Sequence, residues 1–335
     1  MDKVRLGRTN IEVNKNGFGA LPIQRISKEA ASQLMRKAYE NGIDFFDTAR
    51  GYSDSEEKIG YTFSDERASL YIATKTGAKE AETFWLHLEQ SLKNMKTDYI
   101  DIYQFHNPSF VPKPGGTDGL YDAMLEAKKQ GKIRFIGITS HKLHVAKEAV
   151  LSGLYDTLQF PFSYLAEEQD EEIVRLCAEH DVGFIAMKGL SGGLISDSAL
   201  AYAYLNQFKN VLPIWGIQKE AELDEFLSYQ GQPPVLDDEA LRKIEGEKMQ
   251  LAGNFCRACG YCLPCPASIN IPQSARMSLL LRRAVLASFL TEAVQQEMSR
   301  IEDCIHCGHC IKHCPYGLNP PELLKENHHD YQTFL

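Results

Sequence analysis

The 335-residue chain has no apolar run long enough to span a bilayer. Its longest, Met277–Leu290, is broken by Arg282 and Arg283. Basic residues are in deficit: 36 Lys and Arg stand against 45 Asp and Glu, a net charge of −9, and the positive ones are scattered. These two absences argue against a membrane and against nucleic acid as partners. Met1–Asn10 is polar and no apolar core follows it, so no export signal is expected. No internal repeat exists beyond two cysteine motifs. No G-x-G-x-x-G opens a helix after the first apolar run, which removes the signature of an open, doubly wound dinucleotide-binding sheet. Gly17-Phe18-Gly19 alone reads as a tight strand passage. Before residue 256 there is one cysteine, Cys177, on a helical stretch where it reads as a small buried apolar residue.

The remaining thiols concentrate near the C-terminus. Cys256, Cys259, Cys262 and Cys265 form one run and Cys304, Cys307, Cys310 and Cys314 a second, with Pro266 and Pro315 after the last member of each. The second run reads C-x2-C-x2-C-x3-C-P, the spacing of bacterial ferredoxins. Thiolates so spaced can converge on one iron–sulfur cube while the proline turn carries the fourth to another. Thiols in such number point to a reducing cytoplasm and to metal rather than disulfides. Zinc held by four thiolates is the competing reading. Iron–sulfur is favoured because each run has four evenly close cysteines rather than two pairs, and each ends in Cys-Pro. His306, His309 and His313 interleave the second run and are expected to be exposed filler, since the thiolates complete the ligand set.

Hydrophobic content of 44% and charged content of 24% are ordinary for a globular protein. From residue 13 to about 230, short apolar runs alternate with amphipathic segments. The runs are Gly17–Leu21, Ile43–Thr48, Leu70–Thr74, Tyr99–Phe105, Phe135–Ile138, Thr157–Phe160, Gly183–Met187 and Val211–Ile217. Alternation of this kind implies parallel pairing through right-handed crossovers. Eight units close into a (β/α)8 TIM barrel of the α/β class, whose usual length of ~250 residues suits this portion. Gly231–Pro234 reads as a linker, so a barrel over 1–235 and a second domain over 236–335 are expected. Asp237–Met249 is helical in pattern, and a long helical pattern over Gln273–Arg300 separates the cysteine runs. The second domain is therefore expected to be small, mostly α-helical and ferredoxin-like.

Four polar residues fall where this reading puts strand ends or the loops after them. Asp47 ends the second run, Tyr52 lies five residues on, Lys75 follows Leu70–Thr74, and His106 follows Tyr99–Phe105. Active sites of barrels gather at that face. A carbonyl receiving a hydride needs a proton at its oxygen, and tyrosine can donate one. An ordinary tyrosine titrates near 10, so a neighbouring ammonium such as Lys75 is expected to ease its ionisation. Asp47 would keep that ammonium charged, and His106 would bond the substrate oxygen. Taken singly, each of the four has a plain structural reading as a cap, a packing group or a solvated charge. In chain order together they carry more weight.

Gly42-Ile43-Asp44-Phe45-Phe46-Asp47-Thr48-Ala49-Arg50-Gly51-Tyr52, then Ser55-Glu56-Glu57-Lys58-Ile59-Gly60, Thr74-Lys75-Thr76 and Tyr103-Gln104-Phe105-His106-Asn107-Pro108 resemble the aldo-keto reductase superfamily. The likeness covers roughly residues 1–230 and all four positions of that family's tetrad. It implies a barrel reducing aldehydes or ketones with NADP or NAD across its mouth, Tyr52 as general acid, Lys75 and Asp47 tuning it, and His106 orienting substrate. By the same likeness Ser140, His141 and Gln159 hold the nicotinamide carboxamide. Met187 stands where the family stacks an aromatic, and Gly216, Gln218 and Lys219 form the phosphate loop. Glu222 replaces the family's arginine for the 2′-phosphate, the logic by which acidic residues favour NAD, while Lys219 could offset it. The whole resembles a branch of these reductases fused to a ferredoxin-type domain. That implies two 4Fe–4S clusters, one on Cys256, Cys259, Cys262 and Cys314 and the other on Cys265, Cys304, Cys307 and Cys310. The first run has two residues rather than three before Cys265, a departure from the ferredoxin pattern at this cross-ligation.

Two functions follow as expectations. In one, the clusters relay electrons to or from the barrel site, with a ferredoxin or similar electron-transfer protein as partner and a small carbonyl or alcohol as substrate. In the other, the barrel is an ordinary carbonyl reductase and the cysteine module is structural or docks a partner. The first is favoured, because two clusters are an elaborate staple for a domain one zinc would hold.

Overall fold

The computed structural model describes residues 2–251, 255–258, 260, 262–283, 286–314 and 316–335. Two compact units are formed, one of residues 1–189 and 199–235, the other of 190–198 and 236–335.

In the first unit a short antiparallel hairpin, β1 (Lys3–Arg5) and β2 (Glu12–Asn14), precedes a closed barrel of eight parallel strands. The barrel strands are β3 (Gly17–Gly19), β4 (Phe45–Asp47), β5 (Tyr71–Thr76), β6 (Ile100–His106), β7 (Ile133–Thr139), β8 (Thr157–Pro161), β9 (Gly183–Met187) and β10 (Val211–Gly216). They are paired in chain order, and β10 closes onto β3. The helices between them are α1 (Lys28–Glu40), α2 (Ser55–Phe63), α3 (Ala81–Met95), α4 (Leu120–Lys129), α5 (Leu143–Leu151), α6 (Glu168–Glu179) and α7 (Ser198–Asn206), with α8 (Glu220–Ser228) after the last strand. This is the expected (β/α)8 architecture. Barrel strands are covered on both faces, so they read as continuous apolar runs.

The hairpin closes one end of the barrel. Val4, Leu6, Ile11 and Val13 join Phe45, Ala73, Ile102, Ile185, Leu212 and Ile214 in one buried cluster. Burial of each such aliphatic side chain contributes roughly 1.5–3 kcal/mol. The strands' other ends are thereby left for the site. Lys75 falls inside β5 rather than after it, because the strand runs two residues beyond the apolar stretch.

The second unit is helical, with no strand among its described residues. Its helices are α9 (Asp238–Gln250), α10 (Ile271–Ser274), α11 (Met277–Arg283), α12 (Glu292–Ser299), α13 (His309–His313) and α14 (Pro320–Gln332). The Asp237 side chain caps α9 by accepting from Ala240 N at 2.8 Å. The single long helix expected over Gln273–Arg300 is instead broken into α10, α11, a short 3-10 turn and α12. Asn327 of α14 explains the first break: its Nδ2 donates to Ala275 O and its Oδ1 accepts from Ser278 N, so both groups are satisfied outside a continuous helix. Thr291 starts α12 as its cap. Among the described residues no helix is long and apolar enough to cross a membrane.

Candidate active site and candidate metal centre

Asp47 is the last residue of β4 and His106 the last of β6, while Lys75 is next to last in β5. Lys75 and Gln104 are register partners on adjacent parallel strands, which sets their side chains at one level of the barrel. Asp47 is 2% exposed and Lys75 1%. Lys75 Nζ donates to Asp47 Oδ1 at 2.6 Å and to Thr48 O at 2.7 Å. The ammonium lies 5.1 Å from the Tyr52 ring centroid, and the His106 ring meets Tyr52 edge-on at 5.7 Å and 82°. The four tetrad positions therefore meet at one place.

The loop carrying Tyr52 is pinned from below. Thr48 Oγ1 donates to Ser55 Oγ, which donates to Ala20 O. The carboxylate of Glu56, wholly buried, pairs with Arg50 and accepts from Thr74 Oγ1 at 2.7 Å and Asn94 Nδ2 at 3.2 Å. Loop, strand β5 and helix α3 are thus tied through one carboxylate. Sequence reasoning passed over Glu56, whose signal is a charge on the helix face that must pack inward.

Gln104 was also passed over. It is fully buried inside the barrel, and its amide donates to Asp47 Oδ2 at 3.3 Å and to Gln159 Oε1 at 3.0 Å. Gln159 Nε2 in turn donates to Asp47 Oδ1 at 3.3 Å. Three donors therefore surround one carboxylate. Room for Gln104 comes from Gly137, its register partner on β7, where a Cβ would stand 2.8 Å from Gln104 Cγ. The signal available in the sequence was a lone amide within the apolar run Tyr99–Phe105.

Burial dominates the electrostatics. It raises Tyr52 above the usual phenol range; Lys75 pulls the other way and does not overcome it. Lys75 thus acts on Tyr52 in the expected direction, easing its ionisation, but water exclusion outweighs the charge. Burial alone would lower Lys75, but Asp47 and Tyr52 outweigh it and the ammonium is held above its ordinary value. Burial pushes Asp47 up against the opposing pull of Lys75, Gln159 and Gln104. His106 is driven down to about 3 by burial and then by Lys75, so its imidazole is neutral at ordinary pH. Burial, Lys188 and His106 likewise hold His141 well below its usual value.

The remaining candidates occupy the strand ends in chain order. Ser140 follows β7 and is buried, with its Oγ accepting from Lys142 N at 3.0 Å. His141 N donates to Asn107 Oδ1 at 3.3 Å. Gln159 faces inward, with both ends of its amide engaged as described. Met187 ends β9 and Gly216 ends β10. Gln218 N and Lys219 N donate to a single oxygen of Glu222 at 2.9 and 3.1 Å. A carboxylate of the chain itself thus occupies the amides at the start of α8.

In the second unit the described cysteines ring two cavities. Cys256, Cys262 and Cys314 line one, of about 360 Å³ including its open mouth, with Arg257 and Tyr316. Cys262, Cys265, Cys304, Cys307 and Cys310 line the other, of about 380 Å³, with His306 and His309. Cys259 and Pro315 lie outside the described residues. Both runs share a backbone device. Ala258 and His306, one residue before the second cysteine, have φ of 51° and 53°, and Gly260 and Gly308, one residue after it, have 82° and 70°. Such turns aim successive N–H groups into a concavity that favours anionic sulfur. Among the described residues no three Cys, His, Asp or Glu are grouped tightly enough for a single ion; the thiols stand around the cavities instead. That donor set, soft and spread, fits a cluster. His306 and His313 are exposed, while the His309 ring stacks on His313 at 4.1 Å.

Comparison with known proteins agrees with this geometry. The Aldo/keto reductase family model matches residues 15–209, and the chain belongs to that family. A 4Fe-4S dicluster domain model matches residues 255–319. The uncharacterized oxidoreductase YqkF of Bacillus subtilis is 30% identical over 222 residues, 61% of this chain and 69% of that protein. The NADH-specific methylglyoxal reductase of Escherichia coli is 25% identical over 226 residues, 58% of this chain and 69% of that protein. The aldo-keto reductase of Klebsiella pneumoniae, solved with NADPH, superposes with a TM-score of 0.64 at 19% identity, covering 73% of this chain and 94% of that one. At that identity the superposition speaks for the fold.

Proposed function

We propose that this oxidoreductase interconverts a small carbonyl compound and its alcohol, with Tyr52 as proton donor. The observation that carries the reading is the buried Asp47–Lys75 ion pair beside Tyr52, with neutral His106 edge-on to the same ring. Burial keeps the phenol protonated at neutral pH, so it enters the reaction as an acid. As negative charge builds on the substrate oxygen, Tyr52 gives its proton there. The Lys75 ammonium stabilises the phenolate left behind, in a site too dry to screen it. His106, an uncharged donor, orients the same oxygen. A bound nicotinamide would supply the hydride, and Ser140, His141, Gln159, Met187, Gly216, Gln218 and Lys219 are the residues proposed to hold it.

Relatives and neighbours carry both dinucleotides in their names, one NADH-specific and one in complex with NADPH. Here Glu222 favours NAD, because its carboxylate already takes the N–H groups of Gln218 and Lys219 and would repel a 2′-phosphate.

The cysteines are proposed to hold two 4Fe–4S clusters, one on Cys256, Cys259, Cys262 and Cys314, the other on Cys265, Cys304, Cys307 and Cys310. In support, Cys314 shares a cavity with Cys256 and Cys262, and Cys265 shares the other with the second run. Such clusters supply one-electron carriers, and we assign them a relay between the barrel site and a ferredoxin or similar protein in a reducing cytoplasm.

Tyr52→Phe is expected to lower reduction of methylglyoxal or an aromatic aldehyde by orders of magnitude while NADH still binds; unchanged turnover would remove Tyr52 from the acid role. Anaerobic protein should contain about eight irons and eight acid-labile sulfides per chain. Zinc without sulfide would end the cluster reading. Spectra recorded with NADH, NADPH and dithionite in turn decide the relay: clusters reduced by dithionite yet indifferent to nicotinamide and substrate would leave a structural or docking module.

A further inference from the structure

Arg276 sits between α10 and α11, in a backbone held firmly on either side. Ala275 and Met277 are buried, and Asn327 bonds Ala275 O and Ser278 N. Its guanidinium is poorly provided for. Among the described residues its one hydrogen bond is a 3.4 Å contact from Nη1 to Ser191 O, and its buried Nε has no partner. Gly192 makes the space: a Cβ there would lie 3.0 Å from Nη1. A cation largely withdrawn from water without a carboxylate is an expensive arrangement, tolerated where an anion lies close by. Burial lowers the guanidinium's proton affinity, and the attraction opposing that comes from Cys256. Ala275 and Cys256 line the same cavity.

We propose that Arg276 is the counter-charge of the cluster in the Cys256–Cys262–Cys314 cavity and raises that cluster's reduction potential. The proposal rests on the dicluster reading. One-electron reduction by dithionite breaks no bond and adds one negative charge to a site that is already anionic through its thiolates. A fixed cation in a dry surrounding stabilises the reduced form more than the oxidised one. Arg257 lines the first cavity itself, whereas the described lining of the other includes no arginine or lysine. Arg276 adds a second, buried cation on the same side, which widens the gap between the two potentials and makes the first cluster the better electron acceptor.

The test is an anaerobic potentiometric titration of the full-length, iron-loaded chain, followed by electron paramagnetic resonance, for wild type, Arg276→Gln and Arg276→Lys. Arg276→Gln should move one cluster to a more negative potential and leave the other in place, with the displaced signal the one that Cys256→Ser perturbs. Arg276→Lys should keep most of the wild-type value. Selective loss of that one cluster in Arg276→Gln, but not in Arg276→Lys, would also support a counter-charge. Unmoved potentials at full iron content overturn the proposal. So do equal shifts of both clusters, or Arg276→Lys behaving like Arg276→Gln. Wild-type protein without iron and sulfide would instead sink the dicluster reading itself.

Discussion

Replacing Lys75 by methionine removes the cation that stands beside Tyr52 at nearly constant volume, and two consequences can be worked out. The ammonium is 5.1 Å from the Tyr52 ring centroid. At the effective dielectric of about 20 that suits protein sites, a unit charge at about that distance is worth about 3 kcal/mol to a full phenolate. Loss of that support is roughly a 200-fold fall in kcat for carbonyl reduction if the charge is fully developed, and less if partly so. The second consequence is structural. Asp47 would be left buried and unpaired, which costs about 3–5 kcal/mol. For a unit of this size that lowers the melting temperature by on the order of 10 °C. Asp47→Asn combined with Lys75→Met restores neutrality, so it should recover most of the stability and none of the rate. Steady-state kinetics with NADH and an aromatic aldehyde, beside thermal melts, separate the two effects. A Lys75→Met enzyme within threefold of wild type would refute the reasoning, as would a double variant that recovers activity along with stability.

Three further outcomes are expected. Gln104→Leu deletes one donor to Asp47, a bond to a charged group worth about 1.5–3 kcal/mol, so kcat should fall roughly 10- to 100-fold with little change in the dissociation constant for NADH by fluorescence quenching. His106 titrates at about 3 when folded and near 6.5 when unfolded. The unfolded chain thus binds the extra proton, and stability falls as pH drops below 6.5. The loss from this group is about 2 kcal/mol at pH 5, which His106→Gln should abolish in urea melts compared at pH 5 and 7. Glu222→Gln removes the carboxylate from the start of α8, and should raise affinity for NADPH relative to NADH; an unchanged ratio in paired titrations would dismiss Glu222 as the discriminator.

The eight barrel strands were legible because a strand covered on both faces is a plain apolar run. Asp47 and His106 were legible as polar residues closing such runs. What escaped notice did so for identifiable reasons. The strands β1 and β2 are three residues each with polar alternation, too short to signal a plug. Helix α2 buries Ser55, Glu56, Lys58 and Thr62 together with Ile59, Gly60 and Phe63, so its inner face is mixed and gives no clean amphipathic stripe. Lys58 is satisfied there by Ile23 O and Ile26 O, partners 35 and 32 residues away. Gln104 and Glu56 matter through contacts with Asp47, Gln159, Arg50 and Thr74, and only the closed barrel brings these together. The sign of the Tyr52 shift depends on how much water the site excludes, a quantity no local pattern encodes. The first break in the helical pattern over Gln273–Arg300 was not legible because Asn327, distant in sequence, engages Ala275 O and Ser278 N.

The interleaving of the two cysteine runs constrains biogenesis. With the ligand sets proposed above, the last thiol of each run completes the other's basket. One basket cannot then be finished until Cys310 has left the ribosome, nor the other until Cys314 has, so metallation waits for nearly the whole polypeptide. A nonsense codon after Cys265 would leave three thiols at one basket and a lone thiol for the other, with no one-cluster form to fall back on.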